Sequence, residues 1–352
     1  MLKQTVADIT ALDTKAMERC QLRIDNLTKP LNSLGYFEHI ARRLAGITGD
    51  HRPRQLKKSI IIMAADNGVA EQGDCNCRQM TTLQRITSFC HGDAPVKVFA
   101  EHVAASTVLV DIGVAAYLPS LPELCHEKLA FGTCNILKEP AMTREQVLQA
   151  IDVGISIAGA EIAQGIRILG LGQMGLAGVI PAMAVTACYT EQPIEDLYGA
   201  DAKQIRTILT VNCPDKNDPL DILAKVGSLE IAGLVGVILG AAANKTAIVL
   251  DGLATTAAAL LAVKIAPGAK EYIIGSHIAA EPGHEAALAQ LGIPAYLQLD
   301  ISLGEGTGAA LGMTLINAAL HMLKDMKTFG EAEVAVAQDG PGMLKQSKDV
   351  RD

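Results

Sequence analysis

Residues 303–312, LGEGTGAALG, place one carboxylate, Glu305, between two glycines and just ahead of a helix-like run of small and apolar residues. With no side chain on either neighbour, a ligand can approach that carboxylate closely. A lone carboxylate in such a loop has the makings of a general base. The blander reading, which the loop taken alone favours, is a first-turn acid stabilised by the helix dipole.

Four other polar residues share a pattern. The apolar runs SIIIMAAD, STVLVD, TAIVLD and EYIIGSH end at Asp66, Asp111, Asp251 and His277. Each run is too uniformly apolar to keep a solvent face, which predicts a strand buried on both sides. In sheets of such strands, ligands bind outside the carboxyl ends. One strand-end Asp is often a turn former; four on one edge point to a shared rim.

A third motif is Gly170-Leu-Gly172-Gln-Met-Gly175, a G-x-G-x-x-G match after the apolar run IRIL, with Glu191 near the spacing of a ribose-binding acid. Alone it suggests a dinucleotide site and a NAD-binding oxidoreductase. Against that reading, Pro181 interrupts the helix that should follow. Gly is also 32 of 352 residues, so chance matches are not rare. A close turn before a helix N-terminus that holds a phosphate is the simpler reading.

The elements that must position these groups follow from the same patterns. Helical stretches are expected at about 11–26 and 33–47. A third begins at Thr143, where Thr143-x-x-Gln146 forms a capping box, and stops near Gly165. Strands alternating with helices predict an α/β fold with a doubly wound, mostly parallel sheet. The run 229–243 is either a buried core helix or a dimer interface.

Composition narrows the function. A net charge of −8 and 3 % aromatics argue against nucleic-acid binding. No signal peptide is recognisable, and the apolar run 231–243 is too short to span a bilayer, so no membrane association and a cytoplasmic location are expected. Eight scattered cysteines read as reduced thiols. Cys75, Cys77, Cys90 and His91 match no structural zinc spacing.

Six motifs then occur in one order: TKPLNSLG (28–35), AADNGVA (64–70), GTCNILKEPAMT (132–143), LDGLATTAAALLA (250–262), SHIAAEPGH (276–284) and LGEGTGAALG. Together they resemble the nicotinate-nucleotide:dimethylbenzimidazole phosphoribosyltransferases of cobamide biosynthesis, over about residues 25 to 335. The resemblance implies transfer of the phosphoribosyl group of nicotinate mononucleotide to an aromatic base, with inversion at the anomeric carbon. The product is the α-riboside phosphate of a cobamide lower ligand. It implies no cofactor and no metal, since no pyrophosphate departs. It also implies a small helical domain built from both termini (1–55 with 318–352) beside a large α/β domain (56–317), and a dimer. By resemblance Glu305 is the base. Gln79, Asn67, Ser276 and His277 belong to the aromatic-base pocket. Gly172, Gln173, Gly175, Gly304, Gly306 and Asp251 belong to the phosphoribosyl side.

The departures from the family are concentrated. GQMGLAGVI stands where GEMGIGNTT is usual, so Gln173 replaces a carboxylate, and Gly178, Val179 and Ile180 replace Asn-Thr-Thr. YGADA (198–202) replaces a GRGTG-like loop, and Asn67 replaces a His. The base side is intact while the phosphoribosyl side has changed. Two explanations follow. One is altered specificity, with Arg78, Lys203 or Arg206 replacing the lost donors. The other is a weakly active or inactive subunit paired with a competent homologue; the family includes paired-subunit variants that activate phenolic bases, and the chain resembles one of those subunits more than a standard homodimeric enzyme.

Overall fold

The computed structural model describes residues 1–72, 81–121, 123–336, 346–347 and 349–350. The chain divides into two compact units, Met1–Thr10 with Lys57–Gly312, and Ala11–Leu56 with Met313–Asp352.

The larger unit is built on six strands: β1 Lys57–Ala65, β2 Ala105–Gly113, β3 Leu124–His126, β4 Ile166–Met174, β5 Ala247–Val249 and β6 Ile273–Ile274. Their spatial order is β3-β2-β1-β4-β5-β6, and every neighbouring pair is parallel. Helices intervene along the chain, so this is the doubly wound α/β sheet. The order reverses between β1 and β4, the switch point at which such sheets open a crevice. Ile60, Ile61, Ile62 and Met63 are all fully buried, which is why β1 shows no polar alternation. A separate parallel pair joins β7 His277–Ile278 to β8 Leu297–Gln298. His277 therefore opens β7 and does not close β6.

The helix expected at Thr143 runs Arg144–Ala163 with both halves of its capping box formed. The Gln146 N–H donates to Thr143 Oγ1 at 3.2 Å, and the Thr143 N–H donates to Gln146 Oε1 at 2.9 Å. This helix has the length and composition to cross a membrane. Here it packs along helix Leu229–Ala243, which is buried from Leu229 to Ala242. The two backbones meet at Gly154, where a Cβ would lie 1.9 Å from the Gly233 carbonyl oxygen. Of the two readings of 229–243, the core helix is the one the structure shows.

The fingerprint reading is corrected. Gly170 and Gly172 lie inside β4, in register with Ile60 and Ile62 of β1. The turn toward helix Val179–Tyr189 begins only at Gly175, so the first two glycines form no pyrophosphate turn, and the oxidoreductase reading falls with them.

The division of the chain departs from expectation at its start. Helix Leu2–Ala7 packs on helices Arg144–Ala163 and Leu229–Ala243, and the Met1 ammonium lies 3.5 Å from Asp152, so the first ten residues belong to the large unit. In the smaller unit, helices Thr14–Asn26 and Tyr36–Thr48 are tied to the C-terminal segment by Arg23. Its guanidinium donates to the Leu323 and Met326 carbonyls, each at 3.2 Å, and pairs with Glu331 at 3.1 Å. Lys29 and Glu38, both buried, pair at 2.9 Å and close the TKPLNSLG turn.

Candidate active site

The loop carrying Glu305 lies over the carboxyl ends of β4 and β5. Glu305 has a φ of +68°, a conformation uncommon for a residue with a long side chain. Two contacts hold it there. The Glu305 N–H donates to the Gln173 carbonyl at 3.1 Å. The next residue, Gly306, donates to Asp251 Oδ2 at 2.9 Å. Strain fixed by surrounding structure is a feature of functional loops.

Gly172 has its reason here. A Cβ at that position would sit 2.6 Å from the Glu305 carbonyl carbon and 2.7 Å from the Gly306 nitrogen. The glycine in β4 lets the loop of Glu305 lie against the sheet. Gly304 lies over the same surface, the nearest atoms to a Cβ there being the Gln173 carbonyl oxygen and Asp251 Oδ2. At Gly175, past the end of β4, the backbone turns at φ +151° against the Ala65 carbonyl.

Asp251 is the clamp. Its Oδ1 accepts from the Gly308 N–H at 2.7 Å while Oδ2 accepts from Gly306, and the backbone of Ala309 adds a further bond. It thereby satisfies the first-turn donors of helix Thr307–Asp325. Burial pushes its pKa up to about 7, and neighbouring Glu281 adds to that, while the backbone donors oppose it. Asp66 and Asp111 do the same kind of work. Asp66 accepts from the N–H groups of Leu176 and Ala115 and from the Thr82 hydroxyl. Asp111 accepts from the Val114 N–H and pairs with Lys128 at 2.9 Å. The strand-end acids form a rim, and their side chains anchor the loops that build the site.

Glu305 differs from these anchors. Its side chain is only 7 % exposed, and the cation beside it is Arg85 of helix Thr82–His91, at 3.6 Å. Burial raises its pKa above the ordinary glutamate range, and the Arg85 charge pulls it back. A carboxylate in such surroundings is a stronger proton acceptor than one in water.

The remaining expected site residues are placed as follows. The Ser276 hydroxyl donates to the Leu250 carbonyl at 2.6 Å, and His277 Nδ1 lies 3.0 Å from that hydroxyl. The His277 ring packs against Gly308, and burial lowers its pKa, so it stays neutral near pH 7. Gln173 brings its buried Nε2 over Gly178, ahead of helix Val179–Tyr189. The Asn67 amide donates to the Leu176 carbonyl and to Glu230. Gln79 and Arg78 lie outside the described residues, as do Cys75 and Cys77. Arg206 pairs with Glu195 at the surface. Tyr198 is core: it is buried and donates to the Met183 carbonyl at 3.0 Å.

Sequence reasoning missed Arg85, Glu230 and Glu281. Glu230 had a signal, being an acid in the first turn of an otherwise apolar helix. Glu281 sits inside SHIAAEPGH and lies against Gly252. Nothing local marks Arg85.

Comparison with known proteins fits this geometry. The DBI_PRT phosphoribosyltransferase family model matches residues 9–334. A nicotinate-nucleotide–dimethylbenzimidazole phosphoribosyltransferase from Chloroflexus aggregans is 46 % identical over 95 % of this chain and 98 % of its own length. The protein of that name from Geobacter metallireducens is 41 % identical over 96 % and 99 %. The crystal structure of the Thermus thermophilus enzyme of that name superposes with a TM-score of 0.87 at 36 % identity, covering 93 % of this chain and 100 % of that one.

Proposed function

This chain belongs to the DBI_PRT phosphoribosyltransferase family, and on that premise we propose that it moves the phosphoribosyl group of nicotinate mononucleotide to an aromatic base such as dimethylbenzimidazole. The observation that supports this most is Glu305: a buried carboxylate, fixed at positive φ by Gln173 and Asp251, with Arg85 at its side.

The reaction balances without a further reactant. The bond between the anomeric carbon and the nicotinate nitrogen breaks, and its electron pair neutralises the cationic ring. A ring nitrogen of the incoming base forms the new bond from the opposite face. The attacking nitrogen uses its free lone pair, and the N–H of the other ring nitrogen, made acidic as the bond forms, passes its proton to Glu305. For a phenolic acceptor the hydroxyl takes the place of the ring N–H, and the same carboxylate receives its proton. On the phosphoribosyl side, the buried Gln173 Nε2 beside Gly178 replaces the hydroxyl and amide donors usual in the family.

The test is acceptor dependence. Nicotinate release from nicotinate mononucleotide should be negligible without acceptor and should rise with dimethylbenzimidazole or phenol. Release that ignores the acceptor would indicate a hydrolase and sink the assignment.

Arg85 gives a second, finer test. It opposes the effect of burial on Glu305, so Arg85→Met should raise the pKa of the base. The acid limb of the kcat/KM profile should then move to higher pH, with activity recovering on the alkaline side. An unshifted acid limb would remove Arg85 from the account.

A further inference from the structure

Helix Leu229–Ala243 is apolar throughout except for Glu230, whose side chain is fully buried. A buried carboxylate is costly, and an apolar residue of similar volume would serve the core as well or better. Its partner says what it is for. Asn67 Nδ2 donates to Glu230 Oε1 at 2.8 Å, and Asn67 is itself buried. The same amide donates to the Leu176 carbonyl at 3.2 Å. Asp66, next in the chain, accepts from the Leu176 N–H at 3.1 Å. Two consecutive residues at the end of β1 thus grip both polar groups of one residue beyond the end of β4. That is the β1/β4 switch point.

The gripped loop cannot hold its own shape. Gly175 stands at φ +151°, and Ala177, which has a side chain, stands at φ +55°. The loop lies between Gln173, which anchors Glu305, and the start of helix Val179–Tyr189.

We infer that Glu230 is a positioning residue: by fixing the Asn67 amide it holds Leu176, and with it the backbone on the phosphoribosyl side of the site. The assignment of that side rests on the function proposed above; the mechanical link from Glu230 to Leu176 does not. Burial pushes the Glu230 pKa up to about 7, with Asp66 adding to the rise and Asn67 and Ser228 opposing it. Near neutral pH a Gln in its place is therefore close to a native species and keeps the acceptor for Asn67.

Two variants separate positioning from mere folding. Glu230→Met removes the acceptor at similar volume and leaves a buried amide hydrogen unbonded. It should raise KM for nicotinate mononucleotide by roughly ten- to hundredfold, a cost of slight misplacement. Glu230→Gln should restore KM to near the wild-type value. Amide hydrogen exchange without any substrate gives the independent readout: protection at Leu176 should fall in the Met variant and be kept in the Gln variant. Undiminished protection at Leu176 in a folded Glu230→Met protein would overturn the inference. So would a KM for nicotinate mononucleotide that rises equally in both variants. If the wild-type chain released no nicotinate, the functional reading would fail, and exchange at Leu176 would still decide the positioning claim.

Discussion

Glu305→Gln should lower turnover by roughly two to four orders of magnitude, the usual span for loss of a general base. The replacement keeps size and removes the capacity to take a proton, together with the negative charge that faces Arg85. It should leave KM for both substrates near its wild-type value, because the acceptor still binds and only proton transfer is lost. Stability should not fall. Burial raises the Glu305 pKa, so its protonated form favours the folded state. That contribution is full below the ordinary glutamate range and is lost as pH rises through the raised pKa. A Gln carries no such slope, so in alkaline buffer the variant should melt no lower than wild type. Full activity in this variant, checked by steady-state kinetics, would take Glu305 out of the mechanism.

Asp251→Asn should damage turnover and stability together. Both carboxylate oxygens accept backbone N–H groups, from Gly306 in the loop that carries Glu305 and from Gly308 in the first turn of the helix that follows it. An Asn offers one acceptor oxygen and turns a donor toward the other N–H. The buried mismatch should cost about 2 to 4 kcal/mol of stability, measured by urea unfolding. The loop would be displaced, and a shift of order 1 Å at a reacting group costs roughly a hundredfold in rate. The contrast between the two variants is the informative part: Glu305→Gln loses chemistry alone, and Asp251→Asn loses chemistry through structure. A stable, fully active Asp251→Asn protein would contradict the clamp.

The fold was legible where local rules act alone. Runs such as SIIIMAAD are apolar on both faces, and that signature of a buried parallel strand holds at β1. The capping box at Thr143 and Gln146 marked a helix start to the residue. The glycines of GLGQMG misled because their reason is not local. Gly172 makes room for residues 305 and 306, which lie more than a hundred positions away in the chain. The chemistry of the site behaves the same way. Glu305 could be singled out because two glycines flank it, while its role as the base was implied by the family resemblance. Arg85 and Glu230 were not, because what gives each its meaning, Glu305 for one and Asn67 for the other, arrives only through the tertiary fold. Asp66, Asp111 and Asp251 lie toward the carboxyl ends of their parallel strands, and hydrogen bonds that no spacing reveals make them loop anchors.

The central claim is that this polypeptide, by itself, couples departure of nicotinate to bond formation with an aromatic base. The direct measurement uses the chain purified alone, with nicotinate mononucleotide and dimethylbenzimidazole, and quantifies nicotinate and riboside phosphate in the same samples. The expected result is one riboside phosphate, of α configuration, for each nicotinate released, with both lost in Glu305→Gln. Product that forms only after a homologous subunit is added, and that is indifferent to Glu305→Gln in this chain, would show a partner that kept the fold and left the chemistry to another.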